Sequence, residues 1–172
     1  MDIAEDYRLR CEQDSDIALH LPFLYESAQG GTVIELGVRS GNSTAAFLAA
    51  GAEVWSADTE HPQVPGEWHA NPRWHFLHGD DLSPEVLAGI PATADVVFID
   101  TAHTYDHTLA ELRAYAPRAP LVLLHDTQWV DNRDAGTPCG PVARALDEYC
   151  AEMGLRWENR PGSYGLGVLR RP

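Results

Sequence analysis

The chain has 172 residues and a mass of 18.9 kDa, enough for one well-formed core and too little for two. Its 26 acids face 12 bases, a formal charge of −14; every base is an arginine, and no basic run precedes Arg170 and Arg171, which argues against a nucleic-acid partner. No stretch approaches the ~20 consecutive apolar residues of a membrane span, and the polar start MDIAEDYRLRCEQDSD lacks the basic and apolar parts of a secretory signal, so a cytoplasmic protein with no membrane contact is expected.

The segment 17–29, IALHLPFLYESAQ, predicts a short helix with Pro22 near its start or at a kink, ended by Gly30 and Gly31. TVIELG, 32–37, is an apolar run without alternation, as expected of a parallel strand covered on both faces. The glycine-bearing turn VRSGNS follows, and a helical pattern runs from Ser43 to Ala50. Further strands are expected at 53–58, 73–80, 94–100 and 120–126, the last of them the most central. Between the second and third, HPQVPGEWHANP reads as a loop where a helix would ordinarily stand. After the third, DLSPEVLAG carries Ser83 ahead of Pro84 and Glu85, a capped helical turn. Leu109, Leu112 and Ala116 recur at helical spacing over 104–117 and place one face on the sheet. A polar loop, 127–140, is long for an unstructured connection and suits a binding loop with Trp129 as a cover. A helix at 141–153 and an antiparallel edge pair, RWENRP and SYGLGVLRR, complete the chain. The whole predicts one α/β domain over 1–172, a three-layer sandwich around a mostly parallel seven-stranded sheet. Cys11, Cys139 and Cys150 form no CxxC pair, so neither a disulfide framework nor a thiolate zinc site is expected.

Ligands of open α/β sheets collect beyond the carboxyl ends of the strands. Here those ends carry Glu35 and Gly37, Asp58, Asp80 and Asp81, Asp100, then His125 and Asp126. Gly37 and Gly41 permit a tight turn and close approach to a bulky ligand. With no lysine in the chain, the turn is not a Walker phosphate loop, and its G-x-x-x-G spacing departs from the dinucleotide G-x-G-x-x-G. Asp58 ends the second strand 21 residues after Gly37, where a carboxylate can accept from both hydroxyls of a ribose. Nicotinamide dinucleotides and S-adenosylmethionine both satisfy that much.

VIELGVRSGNST resembles the first cofactor motif of class I S-adenosylmethionine-dependent methyltransferases. The stretch ADVVFIDTAHTYDHTLAELRAYAPRAPLVLLHDT is similar to one subgroup, which contains small-molecule and sugar O-methyltransferases and cephalosporin hydroxylase-like proteins. The resemblance covers roughly 30–170 and implies a Rossmann-like fold. It implies that Gly37, Arg39, Gly41, Asn42 and Ser43 wrap the methionine part, with Glu35 supporting the turn. Asp58 would hold the ribose, and Asp81 or Asp80 would lie near the adenine amino group. Asp100 and His103 would border the transferable methyl, faced by His125 and Asp126.

Many relatives bind a divalent cation through a carboxylate after the fourth strand and an acidic pair after the fifth. Asp100 and Asp126 match, while His125 replaces the other acid, so the implied set is Asp100, His125 and Asp126, with Mg2+ or Mn2+ as the ion. The implied reaction is attack by a small-molecule hydroxyl on the sulfonium methyl, with the metal or a histidine, His103 or His125, dealing with the proton. A missing cap implies a shallow acceptor site or one walled by the second subunit of a homodimer. Two other functions remain open at this point: a cofactor-binding or assembly protein without turnover, and a nicotinamide-dependent oxidoreductase.

Overall fold

The computed structural model describes residues 2–130 and 139–172. Its strands are β1 Thr32–Leu36, β2 Glu53–Asp58, β3 Trp74–His78, β4 Val96–Ile99, β5 Leu121–His125, β6 Trp157–Arg160 and β7 Leu166–Arg170. They form one seven-stranded sheet in the order β3-β2-β1-β4-β5-β7-β6. The first five of that order pair in parallel, and β7 runs antiparallel to both β5 and β6. This is the expected Rossmann-like sandwich with its antiparallel C-terminal edge. One placement differs: β4, not β5, is the central strand, because two strands follow β5 in the order and three stand on the other side of β4.

Side chains alternate across the pleat, and each strand of the sheet's middle supplies both faces. Ile34, Leu36, Val97, Ile99, Val122 and Leu124 pack with residues of α4 (Pro84–Gly89), α5 (Tyr105–Tyr115) and α6 (Pro141–Met153). Val33, Val54, Phe98 and Leu123 pack on the other side with α2 (Leu21–Ser27) and α3 (Asn42–Ala49). The α5 stripe behaves as expected, with Leu109, Leu112 and Ala116 all buried. Ser83 caps α4 by accepting from the Val86 N–H at 3.3 Å, with Pro84 opening the helix. Pro22 likewise sits in the first turn of α2, after a short 3-10 turn over Ala18–His20. The expected loop between β2 and β3 contains a short 3-10 turn, Gly66–Ala70, that buries Trp68.

An additional helix, α1 (Ile3–Glu12), is unannounced by the sequence reading. Ile3, Tyr7 and Cys11 repeat every fourth residue and pack against the α3 side of the core, while Asp6 and Arg10 pair at 2.8 Å. Of the expected loop over 127–140, the part at 131–138 lies outside the described residues.

Candidate active site

The strand order reverses between β1 and β4, the point where open α/β sheets leave a crevice beyond their carboxyl ends. The turn after β1 passes over the one after β4 so closely that a Cβ at Gly37 would collide with the Asp100 carbonyl. Gly37 also takes a φ of 86°, which only glycine adopts without strain. Beside this crossing lies a cavity of about 330 Å³, within the ~300–1,000 Å³ of small-molecule sites. Gly37, Val38, Arg39, Ala57, Asp58, Thr59, Glu60, Gly79, Asp80, Asp81, Asp100, Thr101, Ala102 and His107 line it.

Five of those lining residues are acids. Asp58 braces the turn itself: its Oδ2 accepts from the Val38 and Arg39 N–H groups at 2.8 and 3.1 Å, and its Oδ1 from Glu60 N–H at 2.9 Å. A carboxylate offers about four lone-pair positions, so roughly one remains for a ligand. Asp80 Oδ1 accepts from Leu82 N–H at 2.9 Å. Arg39 also lines the cavity, and its guanidinium pairs with Asp16 at 2.8 Å on an exposed surface.

Glu35, Gly41, Asn42 and Ser43 do not line the cavity. Glu35 shares the α3 side of β1 with Val33 and is fully enclosed, where Ser43 and Thr44 of α3 and Ser56 of β2 donate hydroxyl hydrogen bonds to it at 2.6–2.8 Å. Burial pushes its carboxyl up to about 7 despite those three donors. Its place is that of a brace joining β1, β2 and α3. Asn42 Oδ1 accepts from Arg10 Nη1 at 2.6 Å, and the same nitrogen donates to Ser40 O at 2.8 Å. Arg10 also lies over the Trp68 ring, 5.1 Å from its centroid, so α1 is fastened to the glycine turn.

On the other side of the switch point, Asp100, His103, His125 and Asp126 converge. His103 Nε2 lies 2.7 Å from Asp126 Oδ2 and 3.5 Å from Asp100 Oδ1, an ion pair in which the N–H does not point squarely at either oxygen. His125 Nδ1 lies 3.1 and 3.4 Å from the same two oxygens. His125 is almost wholly enclosed, and its Nε2–H donates to Ser163 O at 2.8 Å. Burial opposes charge on both rings, but the two carboxylates overcome it and push His103 up to about 9 and His125 up to about 10. Burial likewise opposes ionisation of Asp100 and Asp126, and the imidazoles hold both carboxyls below their ordinary range. Asp126 has a φ of 61°, a left-handed conformation that costs a non-glycine residue about 1–3 kcal/mol and is retained mostly at functional sites. Trp129 backs His103, ring centroids 5.4 Å apart.

Glu60 and His107 also line the cavity, and neither is marked by the strand-end pattern of the sequence; His107 is the more telling. It stands 3.3 Å from Asp81 Oδ1, and that contact pushes its imidazole up. Its partner on α5, the enclosed Glu111, is raised well above the ordinary carboxyl range by burial and by the Asp81 charge. The i, i+4 spacing of His107 and Glu111 was the available signal.

A family model described as a methyltransferase domain matches residues 34–127, which span the glycine turn, Asp58, Asp100 and Asp126. The chain belongs to this methyltransferase family. No curated protein matches it. Among solved structures, the chain superposes on a Staphylococcus aureus protein provisionally assigned as a caffeoyl-CoA O-methyltransferase, with a TM-score of 0.74 and 15% identity, covering 100% of this chain and 93% of that one. It also superposes on the SAH-bound Podospora anserina methyltransferase PaMTH1 (TM-score 0.64, 13% identity, covering 99% and 87%). A third is the Bacillus cereus O-methyltransferase in complex with SAH (TM-score 0.63, 14% identity, covering 99% and 92%). At such identities the likeness is one of fold.

Proposed function

We propose that this methyltransferase binds S-adenosylmethionine in the cavity beside Gly37 and transfers its methyl group to a hydroxyl of a small molecule. One observation carries the reading: five acids, Asp58, Glu60, Asp80, Asp81 and Asp100, wall the cavity against one arginine, Arg39, which is already paired with Asp16. Such a wall repels the pyrophosphate of a dinucleotide and attracts a ligand bearing a sulfonium and an ammonium. The SAH named with two structures of the same fold agrees with it.

The donor supplies an intrinsically electrophilic methyl, so the protein's task is alignment and proton removal. The Gly37 turn allows the backbone close to the methionine part, and the remaining acceptor capacity of Asp58 faces the ribose. Asp80 and Asp81 stand where the adenine end would lie. Of the two histidines, His103 is the more open, whereas His125 is enclosed with both nitrogens engaged. His103 is therefore assigned as the base that takes the acceptor's proton, with Asp126 and Asp100 fixing its ring and His125 positioning both acids. Its two carboxylate neighbours favour the charged ring, and the positive charge of the donor opposes it and so favours loss of the proton.

A divalent cation fits the same corner. The ligand atoms of Asp100, His125 and Asp126 lie within 4.8 Å of one another, and Ser163 O holds the proton of His125 on Nε2, which leaves Nδ1 as a ligand in the neutral ring. The mixed nitrogen and oxygen set suits Mn2+ better than Mg2+. When bound, the ion would acidify the acceptor hydroxyl. The test is incubation of the pure protein with S-adenosylmethionine and a panel of sugars and phenols. The expected products are S-adenosylhomocysteine and a methyl ether found by mass spectrometry; turnover of an amine but no hydroxyl would contradict the assignment.

A further inference from the structure

Asp81 lies in the turn between β3 and α4, and His107 and Glu111 project from one face of α5. Each offers a ligand atom, and these atoms lie within 4.8 Å of one another. His107 Nε2 is 3.3 Å from Asp81 Oδ1 and 3.6 Å from Glu111 Oε1. Glu111 is 0% exposed; Thr101 Oγ donates to its Oε1 at 2.6 Å, while its Oε2 has no hydrogen bond. Asp81 is 6% exposed, and its Oδ1 also lacks a hydrogen bond. The Tyr115 hydroxyl donates to the Asp81 carbonyl and so fixes the backbone that carries this carboxylate.

Two enclosed carboxylates at this distance repel, and one imidazole cannot compensate both. Enclosed polar atoms without partners are rare in native proteins, and an ion is one of the ordinary reasons for them. We propose that Asp81, His107 and Glu111 form a second divalent-cation site, separate from the Asp100 corner, which takes a transition-metal ion such as Zn2+ through one imidazole nitrogen and two carboxylates. That donor set suits zinc, whereas magnesium prefers oxygen alone. Three protein ligands leave a fourth position, and since Asp81 and His107 line the cavity, that position opens towards its contents. The site does not depend on the identity of the methyl donor. The competing way to relieve the carboxylate pair is a shared proton, in which case no ion binds.

The test is calorimetric titration of the metal-stripped full chain with Zn2+, alongside Co2+, whose visible absorption reports nitrogen and oxygen ligation. The wild type is expected to take up two equivalents, one at the Asp100 corner that Asp126→Asn loses, and one that Asp126→Asn retains but that His107→Ala and Glu111→Gln each bind at least roughly tenfold more weakly. In the Asp126→Asn background, where the Asp100 corner is disabled, a zinc-dependent rise in Tm should be seen and should disappear when His107→Ala is added. His107 is 28% exposed, so this variant is expected to fold, with its zinc response read against its own Tm in chelator, and it carries the test even if Glu111→Gln fails to fold. Absence of uptake by the wild type, or uptake unchanged in His107→Ala, would overturn the proposal.

Discussion

Around His103 two imidazoles face two carboxylates, whereas around His107 a single imidazole faces two. The first cluster reaches charge balance with protons alone, which is why both of its rings are pushed up and both of its acids down. In the second, burial and then the Asp81 charge push Glu111 up instead, with too little positive charge nearby to offset them. Burial opposes ionised carboxylates in both clusters, and the second imidazole is what offsets it in the first. The two also differ in access: His107 lines the cavity, and His103 stands beside it.

Removing His103 should divide the regions most sharply. His103→Ala is expected to slow methyl transfer by roughly 10²–10⁴-fold, the ordinary worth of a general base, while donor affinity measured by titration stays close to wild type. A comparable loss of donor affinity would erase the distinction between the corner and the cavity. Asp58→Ala attacks the other side, since it takes a carboxylate from the cavity wall, two acceptor contacts from the glycine turn and a third from Glu60 N–H. Donor affinity should fall by roughly tenfold or more, about 1.4 kcal/mol, and the variant should show it in direct binding rather than only in turnover.

pH should act on the His103 corner with a definite sign. A group raised in the folded state contributes stability fully below its unfolded value and loses it as pH climbs through the folded one. For His103 and His125 that window runs from about 6.5 to about 9 and about 10. Tm should therefore fall between pH 7 and 10, with a shallower fall in His103→Gln. Over the same range kcat/KM should rise as His103 loses its proton, towards a plateau above about 9. A flat activity profile would remove His103 from the proton's path. The smallest effect is expected at Arg10, which fastens α1 to Ser40 and Asn42. Arg10→Ala should raise the KM for donor by roughly threefold, a fraction of one charge-assisted hydrogen bond, with less effect on kcat.

The sheet was readable because strands buried on both faces appear as unbroken apolar runs such as VVFI and LVLL. Their order is not written in hydrophobicity: β4 and β5 look alike as strings, and the C-terminal pair beyond β5 decides which is central. Helix α1 is hard to read from sequence because its apolar stripe is one residue wide and only partly buried, Ile3, Tyr7 and Cys11, among charges. The strand-end acids were legible from topology alone, since a parallel sheet brings its carboxyl ends to one edge. The direction of each side chain was less so. Glu35 stands at the end of β1 as expected, but its alternation with Ile34 and Leu36 sends it to the α3 side, away from the cavity. His107 and Glu111 were hidden for the opposite reason, because on an amphipathic helix an i, i+4 polar pair reads as a solvated face until the turn after β3 folds against it.

The measurement that bears most directly on the acid-walled cavity is parallel calorimetric titration of the protein with S-adenosylmethionine and with NAD+. Saturable one-to-one binding of S-adenosylmethionine, weakened in Asp58→Ala, with no heat from NAD+, is the expected result. Tighter binding of NAD+, or no binding of S-adenosylmethionine by folded protein at millimolar concentration, would contradict the assignment of the cavity to a cationic methyl donor.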